Sequence, residues 1–159
     1  MNNPYVRYIL VFALALLLQA TFIKFIEILN WSPDLILIVL VMFALQFGQS
    51  VGTTAGFLIG VLGDLISGGL LGLGALSKTI TGFIAGGIGR FFQERSQFIF
   101  TLFIAGFTHD LIFYYINTLG GEISWLVILF KQIIPNLFYT ALVGTSIYFI
   151  IGNWLKGDE

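Results

Sequence analysis

Polar side chains are sparse along this chain, and the apolar stretches between them read as six helices in succession. The first, residues 5–23, is interrupted only by Arg7 and Gln19. The second, residues 33–47, opens on Ser32-Pro33-Asp34, which has the form of a helix start: a capping hydroxyl, a proline at the first helical position and an acid in the first turn. It is short for a bilayer, so it must include the Pro33 turn, be flanked by side chains that reach the interface, or lie where the membrane is thin. A polar turn at Gln46–Ser50 leads into the third helix, residues 51–66, and a glycine-rich, uncharged loop at Ser67–Gly74 into the fourth, residues 76–91. The fifth, residues 98–115, carries His109-Asp110 inside it. The sixth, residues 125–152, has Lys131, Pro135 and Asn136 in its first half. Pro135 predicts a kink and a freed carbonyl that must find another donor. Between the first two helices, Lys24–Trp31 (KFIEILNW) is amphipathic and ends in a tryptophan, as expected of a segment at headgroup level.

Composition decides the solvent around these helices. Of 159 residues 58% are hydrophobic and 9% charged, with a mean hydropathy of +0.99. A soluble domain carries about 25% charged residues, so the chain reads as an all-α polytopic membrane protein, one transmembrane domain embedded in the lipid bilayer. A spanning helix needs about 20 apolar residues, and the length allows six. The formal net charge of −1 gives no pull toward nucleic acid, and the absence of cysteine removes disulfides and thiolate chemistry. The first apolar run lacks a small-residue cleavage site and reads as a retained helix. With both termini cytoplasmic, Arg7, Arg90, Arg95 and Lys156 lie inside and Lys24 outside, which is the expected bias of basic residues.

Asp64 is the lone carboxylate of the third helix. At a bilayer centre it costs about 2.5–3.5 kcal/mol, so it needs a partner or a place near the interface. It reads either as a substrate or proton carboxylate or, more plainly, as a fastening to Lys78 or to loop amides. His109-Asp110 has the look of a proton relay, yet neighbours on a helix point about 100° apart. The plainer reading gives each a different neighbouring helix to bond. A short echo, Gly60-VLG-Asp64-Leu-Ile and Gly106-FTH-Asp110-Leu-Ile, pairs each acid with a lysine on the next helix, Lys78 or Lys131. Gly52, Gly56 and Gly60 lie on one helix face, as do Gly82 and Gly86, and such rows let two backbones approach closely. Internal packing and homodimerisation both use them. The stretch Gly72–Thr79 imitates a phosphate-binding loop but has serine where glycine must precede the lysine. One histidine and no cysteine provide no nucleophile–base set and no convincing metal site, so no enzyme and no cofactor are implied.

Pro33-Asp34-Leu35, the glycine ladder Gly52…Gly56-Phe57-x-x-Gly60, then Asp64…Ser67-Gly68…Gly72…Ala75-Leu76 resemble the rod-shape-determining protein MreD family. The resemblance implies a scaffold subunit of the bacterial cytoplasmic (inner) membrane machinery that elongates the lateral peptidoglycan wall. It further implies an MreC-like partner and, through it, MreB filaments, the RodA glycosyltransferase and a class B penicillin-binding protein. It also implies a fold like the substrate-binding subunits of energy-coupling-factor vitamin transporters, so the alternative is a subunit that binds a small molecule. Short, nearly uncharged outer loops favour the scaffold. The uneven surface around Lys24, Glu27, Trp31, Pro33 and Asp34 is the candidate partner-binding strip.

Overall fold

The computed structural model describes residues 3–88, 91–121 and 124–156, with the side chains of Glu94, Arg95 and Lys156 excepted. Arg90 of the expected charge cluster and Glu122 lie outside the described residues. The chain forms helices α1 (Pro4–Thr21), α2 (Leu35–Phe47), α3 (Gln49–Ser67), α4 (Leu73–Ile88) and α5 (Glu94–Asn117). A last rod follows, made of α6 (Trp125–Ile128), a π-helical turn at Leu129–Ile133 and α7 (Ile134–Lys156). Four stretches are long and apolar enough to cross a membrane: Pro4–Thr21, Gln49–Ser67, Ser96–Asn117 and Trp125–Leu155. Helices α2 and α4 are apolar but shorter.

The short α2 is explained by its place. Ile36 through Ala44 are all buried, with α1, α3, α4, α5 and α7 packed around them. A helix that is apolar on every side belongs in an interior. Because neighbouring helices cover it, α2 has no lipid boundary to match, and its 13 residues suffice. The start of α2 is set by Asp34, whose carboxylate accepts from the Leu37 amide at 2.8 Å. Ser32 is therefore not the cap expected from the sequence. The Leu35 amide donates to Gln19 Oε1 at 2.9 Å and the Asp34 amide to Thr140 Oγ1 at 3.3 Å. Amides that helix geometry leaves without partners are thus bonded by α1 and α7.

Helices α3 and α4 form the tightest pair. A Cβ on Gly56 would strike the Lys78 carbonyl, one on Gly82 the Gly52 carbonyl, and one on Gly60 the backbone of Gly74 and Ala75. Gly52 meets Ala44 and Gly82, and Gly86 meets the backbone of Gln49. The glycine rows thus close an intramolecular seam.

In the last rod, Pro135 has no N–H to return to the Lys131 carbonyl. The π-helical turn falls directly before it, and the Lys131 carbonyl accepts instead from Trp31 Nε1 at 2.7 Å. Two further bonds hold the preceding segment against this rod: Gln132 Nε2 donates to the Asn30 carbonyl at 3.1 Å and the Tyr139 hydroxyl to the Ile26 carbonyl at 2.7 Å. Between them Ile28–Trp31 makes a tight turn with Leu29 and Asn30 at φ 52° and 67°.

Candidate functional site: a buried hydrogen-bonded ring

The polar groups of the helices converge at the end of the bundle opposite the termini. Asp34 sits at the start of α2, Lys78 in the first turns of α4, His109-Asp110 toward the end of α5, and Asn136 early in α7. Lys78 Nζ lies 2.9 Å from Asp34 Oδ2 and 3.2 Å from His109 Nε2. An ammonium only donates, so Nε2 accepts and the imidazole proton resides on Nδ1. That nitrogen donates to Asp110 Oδ1 at 3.0 Å. Asp110 Oδ2 accepts from Asn136 Nδ2 at 3.2 Å, and Asn136 Oδ1 accepts from the Ser32 amide at 3.1 Å. Ser32 is two residues from Asp34, so the chain of bonds closes into a ring through α4, α5, α7 and the entry to α2. Lys78, His109, Asp110 and Asn136 are all buried, and the Asp34 side chain is 16% exposed.

A polar cavity of about 220 Å³ adjoins this ring, lined also by Gln19, Ser67, Phe113 and Tyr114. At roughly 30 Å³ per molecule it has room for several waters. The ring holds two carboxylates, one ammonium and an imidazole placed to accept at one nitrogen and donate at the other. Buried charges persist when paired and hydrogen-bonded, and here each has at least two partners.

Asp64 lines the same cavity but is bonded differently. Its carboxylate accepts from the amides of Gly72, Gly74 and Ala75 at 2.8, 3.0 and 3.1 Å. These amides open α4, so Asp64 of α3 caps the next helix and its charge meets the positive end of that helix. Gly68 (φ 67°) and Gly72 (φ 95°) supply the left-handed turns that bring the loop back. A Cβ on Gly74 would collide with the carboxylate. Loop amides, not Lys78, are the Asp64 partner.

Several sequence expectations are corrected. Lys78 pairs with Asp34, so the acid–lysine pairing suggested by the internal echo does not hold. The Lys131 side chain is exposed and is not the partner of Asp110. His109 and Asp110 do each bond a different neighbouring helix, His109 to Lys78 of α4 and Asp110 to Asn136 of α7, and they bond each other as well. Pro33 is fully buried and Asp34 faces Lys78, so these two do not belong to an exposed strip. Lys24 and Glu27 are exposed, while Trp31 is half-buried with its indole N–H engaged. Short outer loops had argued against convergent polar groups, yet the helices themselves bring them together. Thr140 was missed, although it stands four residues after Asn136 and so on the same helix face. Gln19, the one amide side chain in α1, carried its signal in that isolation.

On the outer flank of α5 and α7 lies a second space, an apolar groove of about 880 Å³. Ile28, Trp31, Phe103, Phe138, Leu142 and Phe149 line it. Thr145 and Ser146 also face it, with hydroxyls bonded to carbonyls of their own helix. From Pro135 to Phe149 the groove follows α7 for about 21 Å at 1.5 Å per residue.

A family model described as rod shape-determining protein MreD matches residues 1–157. No curated protein and no solved structure matches the chain, so the expected likeness in fold to vitamin-transporter subunits finds no support.

Proposed function

This chain belongs to the rod shape-determining protein MreD family, and from that premise we propose a specific task within rod shape determination. The protein is a non-enzymatic scaffold subunit of the wall-elongation machinery in the inner membrane, with both termini cytoplasmic. It holds an MreC-like partner by that partner's single spanning helix and, through it, MreB filaments, RodA and a class B penicillin-binding protein. The apolar groove along α7 carries this reading. It is long enough for several turns of a helix, its walls are aromatic and aliphatic, and its two hydroxyls are already bonded. Helix association in lipid rests on packing, so filling the groove should abolish it. Ser146→Trp and Leu142→Trp are expected to lose an MreC-like partner on co-purification, while Leu62→Trp, on an exposed face of α3, keeps it. Retention of the partner by both folded groove variants would refute the assignment.

The polar cavity favours a second reading, a subunit that binds a small molecule. Six of the polar side chains on its wall, Gln19, Asp34, Lys78, His109, Asp110 and Asn136, come from five helices or their caps. Mass spectrometry of the purified protein separates the readings: a small molecule bound at one per chain, together with an undisturbed partner in the groove variants, would replace the scaffold by the binding subunit.

A further inference from the structure

The buried ring and the apolar groove share a wall. Trp31 and Pro135 line the groove, while their chain neighbours Ser32 and Asn136 are bonded to each other in the ring. We propose that His109 is a proton-operated control on the groove: taking up one proton opens the ring and moves the Trp31–Asp34 segment that forms the groove wall. The coupling is a property of the ring, and its bearing on a partner rests on the docking proposed above.

The bonding leaves one place for a proton. His109 Nδ1 already holds one, directed at Asp110, and Nε2 is the acceptor for Lys78. A proton arriving from water in the adjoining cavity forms an N–H bond at Nε2. The imidazolium then faces the Lys78 ammonium across 3.2 Å, donor against donor, and the Lys78–His109 hydrogen bond is lost. The next acceptor for Nε2–H is Asp34 Oδ2, at 3.8 Å. Asp34 is held by Lys78 and by the Leu37 amide, so a turn of its carboxylate toward the imidazolium loosens Lys78 and disturbs the cap of α2. The segment ending at Asp34 includes Ser32 and Trp31, which bond to Asn136 and to the Lys131 carbonyl.

The surroundings of His109 are otherwise fixed. Lys78 approaches from α4 and Asp34 from the start of α2. Asp110 and the stacked ring of Phe113 lie on its own helix. Around the shared cavity stand Tyr114 of α5, Asn136 of α7, Gln19 of α1 and Asp64 of α3. Asp64 is bonded by three loop amides, and Asn136 and Gln19 do not titrate. The added charge is therefore felt first by Lys78 and Asp34.

The chain has one histidine, so its imidazole resonance is unambiguous in the full-length protein in detergent micelles. The test follows that resonance, and the Trp31 emission of a Trp125→Phe/Trp154→Phe variant, from about pH 8 to pH 5, where histidine side chains change charge. The two signals are expected to change together, and His109→Gln to leave Trp31 emission independent of pH. An MreC-like partner is expected to be retained at pH 8 and lost at pH 5 by the parent, and retained at both by His109→Gln. An imidazole that stays neutral in the folded protein, or a Trp31 change that survives in His109→Gln, overturns the proposal. Should His109→Gln not fold, separate midpoints for the imidazole and Trp31 in the parent overturn it equally. If both signals titrate together but the partner never co-purifies, the coupling stands and the docking reading falls.

Discussion

The α3–α4 seam and the ring beside it both join neighbouring helices, yet they are built on opposite plans. The seam is backbone against backbone: glycines remove the side chains, and the one carboxylate, Asp64, is taken up by three amides. The ring is side chain against side chain, with two carboxylates, an ammonium, an imidazole and an amide bonded in sequence. A seam of this kind has no alternative bonding pattern. A ring with a titratable member has one. The bundle thus has a fixed wall along the length of α3–α4 and, at the end opposite the termini, an adjustable one across α5–α7.

The largest effect that separates the two regions is expected at Lys78. Lys78→Met strands Asp34, and breaking a buried pair from one side costs about 3–5 kcal/mol. Adding Asp34→Asn should recover much of that loss, because the orphaned charge is gone. Thermal unfolding in detergent reads both variants, and a double variant no better than the single would contradict the side-chain account. Gly56→Ala comes next, at about 1–3 kcal/mol for overpacking, since the new methyl meets the Lys78 carbonyl itself. No second-site change at a side chain should rescue it, and recovery by a smaller residue elsewhere on α4 would show the seam to be less rigid than described.

Asp64→Asn is expected to be milder, about 1–3 kcal/mol and toward the lower end. The variant keeps an acceptor oxygen but turns an NH2 group toward amides that also donate. The same change at Asp110 keeps one acceptor oxygen and opens the ring at one of its two bonds, so Asp110→Asn should alter the pH response of Trp31 while Asp64→Asn preserves it. Smallest is Asn136→Leu, which removes two bonds at about 0.6 kcal/mol each for the average membrane hydrogen bond. Its effect should appear in the emission of Trp31 more clearly than in the unfolding temperature.

The all-helical character of the chain was legible because apolar runs and their breaks leave direct marks in the sequence. The glycine rows announced close packing for the same reason, since a spacing of four fixes a common face. The pairing of charges was not legible. Asp64 is closer in sequence to Lys78 than Asp34 is, yet the Ser67–Gly74 loop folds its own amides over Asp64 and leaves Lys78 to reach α2. Nor did the shortness of α2 reveal its position: an apolar helix of thirteen residues fits a thin membrane as well as an interior. Pro135 foretold a freed carbonyl, but Trp31, 100 residues before that carbonyl, was identified as its donor only by tertiary contact.

The burial of α2 also imposes an order on biosynthesis. Chains are made from the N-terminus, so this helix emerges second, while α3, α4, α5 and α7, four of the five helices that enclose it, are still to be made. Its apolar side chains can wait in lipid, but Asp34 cannot rest there without cost. Until Lys78 has been translated the newborn chain carries an unmatched acid at the mouth of its future centre, and until the stretch from Lys131 to Thr140 arrives the segment before α2 lacks its tethers to the last rod. Nascent chains halted before residue 78 should therefore be visible to membrane proteases, and chains halted after residue 140 should escape them.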